Sequence, residues 1–153
     1  MPRTPSSHVQ QCAALICAYL SGDEVGCAVL RAESELTLRQ WRESAIVLSA
    51  TVMVLLAHVR GREPLDVLCV FVPERHEVFP GDRDAAEALA VIVYYHLHRE
   101  ILADEDVVVD LVPSLFDIAI SAVAELAREW SRPAIEVARL LAVGAATYQR
   151  PVW

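Results

Sequence analysis

Residues 41–59 read WRESAIVLSATVMVLLAHV. Trp41, Ala45, Leu48, Val52, Leu55 and Val59 recur at alternating spacings of four and three, the repeat of one helix face. Most of the positions between them after Ala45 are apolar too. A helix with apolar residues on nearly every side must be enclosed by other helices, because any side left open would keep apolar surface in water. The stretch therefore predicts a long central helix over residues 35–59, closed by Gly61, and with it an all-α fold: a compact multi-helix bundle.

The flanking sequence supplies helices to surround it. Ser7 with Gln10 has capping-box spacing and opens a helix to Leu20; Asp23 opens a short one to Ala32. Pro64, with Asp66 in the first turn, opens a short helix to Val72. Asp84 with Glu87 caps a helix to Ala103, Ser114 with Asp117 caps one to Trp130, and Pro133 opens the last, to Tyr148. On the helix ending at Trp130, Leu115, Ala119, Ala122, Leu126 and Trp130 share an apolar face, and Asp117, Ser121, Glu125 and Arg128 share a polar one. The chain reads as a single helical domain, 1–153, divisible into halves 1–72 and 82–153 joined by the loop 73–81. Acid-valine pairs at Glu24-Val25, Asp66-Val67, Asp106-Val107 and Glu136-Val137 suggest helical-hairpin units. The rival reading makes strands of residues 66–72 and 106–112, both rich in strand formers, and so an α/β fold.

Composition mostly excludes. No Lys and no Asn occur among the 153 residues, whereas Arg occurs 13 times. Both missing residues use A/T-rich codons, so a GC-rich bacterial genome accounts for the pattern. Schiff-base chemistry, a phosphate-loop lysine and an N-glycan acceptor are thereby removed. A net charge of −8 argues against nucleic acid as a partner. No secretion signal is apparent, and the apolar run Ala45–Val59 is too short to span a bilayer. A cytoplasmic protein with no membrane partner is expected. Cys12, Cys17, Cys27 and Cys69 show no two-residue spacing of a zinc or redox motif, and in a reducing compartment they serve as small buried residues. No cofactor and no metal are expected.

Candidate site residues cluster in three places. His96, Glu100 and Asp104 are spaced by four and share a helix face, but the helical motifs with a known metal mechanism are absent, and an i,i+4 pair is the simpler reading. Tyr94, Tyr95 and His98 form a second face, opposite an apolar stripe of Ala86, Ala90, Val93, Leu97 and Ile101, and are candidates for partner contact; the alternative is that Tyr95 packs on a neighbouring helix with its hydroxyl in water. His76 sits among acids in the Glu74-Arg75-His76-Glu77 loop. At the chain end, Trp153 is expected to dock on the bundle or on a second subunit.

No catalytic set emerges, so the reading leans away from an enzyme. An apolar fraction of 55% exceeds what one small core needs, which points to a protein–protein interaction or regulatory module, homodimeric or bound to another protein. The alternative is a small-molecule sensor with an apolar pocket rimmed by Trp41, Tyr94 or Tyr95 and a histidine. A His96/Glu100 enzyme, with or without metal, ranks third.

Overall fold

A computed structural model describes residues 5–67, 83–103, 105 and 111–147. The chain is all-α: α1 (Pro5–Leu20), α2 (Glu24–Glu33), α3 (Leu38–Arg60), α4 (described at 64–67), α5 (Arg83–His98), α6 (Val112–Trp130) and α7 (Ala134–Thr147). Among the described residues there is no strand. Asp66 and Val67 are helical, Leu111 is non-helical and buried, and Val112 is helical; residues 68–72 and 106–110 lie outside the described residues, as do the loop 73–81, His76, Cys69, Asp104 and Trp153.

Helix α3 is central, as the seam requires. Residues 44–50 are all buried, which covers nearly two turns on every side. The enclosure is not uniform. Along the seam Trp41, Ala45, Leu48 and Val52 are buried, Leu55 is half-buried and Val59 is exposed. The last two turns therefore show only one side to the core. At 23 residues α3 is long and apolar enough to cross a membrane by length and composition, contrary to the shorter run read from the sequence, but 67% of its apolar window is buried inside the bundle.

Four helices close a ring: α1 packs on α3 and α7, and α6 packs on α3 and α7. Helix α5 lies against α3 and α6, and α2 against α1. The Trp41 and Phe116 rings meet near the starts of α3 and α6, with centroids 5.8 Å apart. Near their ends, Arg60 Nε donates to Glu129 Oε1 at 2.7 Å and Arg60 Nη2 to Glu125 Oε2 at 3.2 Å. The two helices thus run side by side in the same direction.

Capping sets several boundaries. Thr37 and Gln40 form a reciprocal capping box at the start of α3, so the helix begins after Thr37, not at Glu35. Gly61 ends it with φ 64, a left-handed conformation that glycine takes without Cβ strain. Asp23 caps α2 by accepting from the Gly26 N–H at 2.8 Å. Pro64 starts α4, and Pro133 directly precedes α7 with its carbonyl accepting from Glu136 and Val137. Three expected caps do not form, the first because α5 starts at Arg83 and so has Asp84 inside it. Helix α1 starts at Pro5, which places Ser7 inside it, and α6 starts at Val112, which places Ser114 in its first turn with no side-chain cap at Leu111.

Helix α5 departs furthest from expectation. It stops at His98 instead of Ala103, and Arg99 takes a left-handed φ of 56. The chain leaves the helix so that the Leu102 carbonyl can accept from the buried Arg42 Nη2 at 3.0 Å. The buried stripe is Ala88, Leu89, Val91, Ile92 and Tyr95, whereas Ala86, Ala90 and Leu97 are exposed. Apolar residues lie almost all round this helix, so periodicity alone does not select a face; packing against α3 and α6 does. The acid-valine pairs are not equivalent either: Val67 and Val137 are buried, and Val25 is 75% exposed.

Candidate functional site

Helices α1 and α6 each carry more apolar surface than their neighbours cover. On α6, Val112, Phe116 and Ile120 form a stripe spaced by four beside the core stripe. On α1, Leu15 and Tyr19, four apart, and Ile16 lie on one side of the helix, Leu15 and Ile16 buried and Tyr19 exposed. These stripes face the start of α3 across a cleft of about 590 Å³. Its floor is buried: Leu15, Ile16 and Trp41. Val112, Phe116 and Ile120 are half-buried walls. Tyr19 and Leu38, 58% and 69% exposed, stand at the mouth with Arg31 and Asp117.

Local structure holds each part in place. The Thr37 capping box fixes the first turn of α3, which carries Leu38 and leads to Trp41. Trp41 tilts against Phe116 at an interplanar angle of 55°, a favourable arrangement for two aromatic rings. Its neighbour Arg42 ties α3 to Leu102, on the segment that leads toward α6. Ser34 Oγ donates to Gln11 Oε1 at 3.2 Å, anchoring the end of α2, the helix that carries Arg31, to α1.

The charged residues at the mouth differ. Asp117 already has an interaction within the chain. Arg31 makes no hydrogen bond or ion pair among the described residues, and it is the one cationic residue among the described lining. The cleft thus offers an apolar interior, stacking surfaces and one available cation, a composition suited to binding.

Of the described residues expected at a site, Trp41 lines this cleft and Tyr94, Tyr95, His96, His98 and Glu100 do not; His76 and Trp153 lie outside the described residues. Tyr95 is not on an exposed face: it is 3% exposed in the core, with the Arg99 guanidinium 5.9 Å from its ring centroid. Tyr94 is half-buried against exposed His98, ring centroids 4.5 Å apart. His96 is half-buried, and Glu100 lies beyond the end of α5, so the i,i+4 face drawn through them is not formed. No group of three His, Cys, Asp or Glu residues placed to hold a metal occurs among the described residues. Burial pushes the Cys12 thiol far up; it also raises Cys17, against an opposing pull from Arg139.

Sequence reasoning missed Tyr19, Arg31, Phe116 and Asp117. The legible signal was the second apolar stripe on α6, which a core reading of that helix left unexplained. Comparison with known proteins finds no matching family model, no matching curated protein and no matching solved structure.

Proposed function

We propose that this protein binds an apolar small molecule in the cleft between α1, α3 and α6. The observation that carries the reading is the cleft itself: about 590 Å³, with a buried apolar floor and two aromatic rings in contact. Small-molecule sites typically measure about 300–1,000 Å³ and combine apolar walls with a few polar groups at defined places.

The test is thermal. A panel of apolar and aromatic metabolites is screened for a rise in melting temperature, and hits are repeated on Ile120→Trp, which fills the cleft from one wall. A ligand at a hundred times its Kd adds about 2.7 kcal/mol of stability. The expected result is a shift in the parent protein that is lost in Ile120→Trp. A panel that gives no shift, or shifts that survive the substitution, would overturn the reading.

A second reading, a homodimeric interaction module, is favoured by Leu140 and Val143 on α7, 50% and 66% exposed. Three residues apart, they lie on one side of the helix. If this side joins two copies, light scattering gives a dimer for the parent chain and a monomer for Leu140→Glu. A monomeric parent at high concentration excludes it.

A further inference from the structure

We infer that the ligand of this cleft carries a single anionic head, a carboxylate, on an apolar body, and that Arg31 selects it. The inference rests on the binding reading above and names the class of molecule within it. The cleft walls recognise only shape and apolar surface, so they do not distinguish an acid from an alcohol or an amine of equal length. Discrimination falls to the mouth, where two charged side chains stand. Asp117 is engaged within the chain, and Arg31 has no partner among the described residues. The chain therefore leaves an exposed guanidinium on the lining of an apolar cleft with donor capacity unused. A guanidinium presents donors in a planar fork that matches the two oxygens of a carboxylate. An apolar body seated against Leu15, Ile16 and Trp41 occupies the same cleft that Arg31 lines. Arg31 is exposed, so it contributes mainly to choice of ligand and little to the fold.

Decanoate, decanol and decylamine test this, decanol below its solubility limit and the two charged compounds below the concentration at which each forms micelles. Binding is followed by calorimetry to the full chain, to Arg31→Gln and to Ile120→Trp, with circular dichroism to confirm that each variant is folded. The expected order is decanoate first, with decanol weaker by about tenfold, the scale of one charge-assisted contact. Arg31→Gln should bring decanoate down to the level of decanol and leave decanol unchanged. Added salt should weaken decanoate alone. Equal binding of acid and alcohol, unaffected by Arg31→Gln, overturns the anionic-head inference and leaves the apolar cleft standing. Preference for decylamine overturns it also, because Asp117 would then be the selecting group. Failure of all three compounds to bind, or equal binding to Ile120→Trp, removes the cleft reading and the inference with it.

Discussion

Leu48→Ala is expected to lower the free energy of unfolding by about 2–5 kcal/mol. Leu48 is 2% exposed on the fully enclosed stretch of α3, with buried residues on every side along 44–50. Truncation removes apolar contacts and leaves a cavity that the surrounding helices cannot close, because each is held by its own packing. Urea denaturation of the two proteins measures it. The midpoint should fall while the slope stays the same, since the surface exposed on unfolding is little changed. Val59→Ala is the internal control: Val59 lies on the same seam but is 38% exposed, and its truncation should cost well under half as much. Equal losses at the two positions would show that α3 is not the enclosed helix described.

Glu125→Ala should be the next largest loss, about 1.5–3 kcal/mol. Glu125 belongs to the polar face read from the sequence, yet it is buried, its side chain 8% exposed. It accepts from Arg60 on α3 and from Arg128 on its own helix, and Arg60 is shared with Glu129. A carboxylate taken out of water is tolerable only when its oxygens are occupied, and here both are. Removing it strips Arg60 of one partner at a site only 25% exposed. The exposed pair Arg132–Glu136, with side chains 53% and 46% exposed, supplies the comparison. Breaking that pair should cost a few tenths of a kcal/mol, and 1 M NaCl should erase the effect. The Glu125→Ala loss should persist in salt. A loss below about 0.5 kcal/mol would place Glu125 among ordinary surface acids.

These two residues show where legibility ended. Leu48 was readable because a helix apolar on all sides has only one stable environment. Glu125 was not: a single glutamate on a polar face looks the same whether water or an arginine 65 residues earlier satisfies it. The candidate site repeats the contrast. Trp41 was legible as part of an unusual seam. Phe116 and Arg31 were not, since their meeting at one cleft depends on α2, α3 and α6 converging. The two readings of Tyr95, contact face or helix packing, stayed open for the related reason that α5 has apolar residues on more than one side and only its neighbours choose between them.

Local sequence by itself determined the all-α class, the central place of α3 and the cap at Gly61, because periodicity and cap chemistry act within a few residues. Tertiary structure alone decided that α3 and α6 run in parallel, that α5 ends at His98 to hand the Leu102 carbonyl to Arg42, and that α1, α3 and α6 leave a cleft where they meet. Those outcomes depend on which apolar faces are left uncovered once all the helices have packed, a property of the whole bundle and of no single helix.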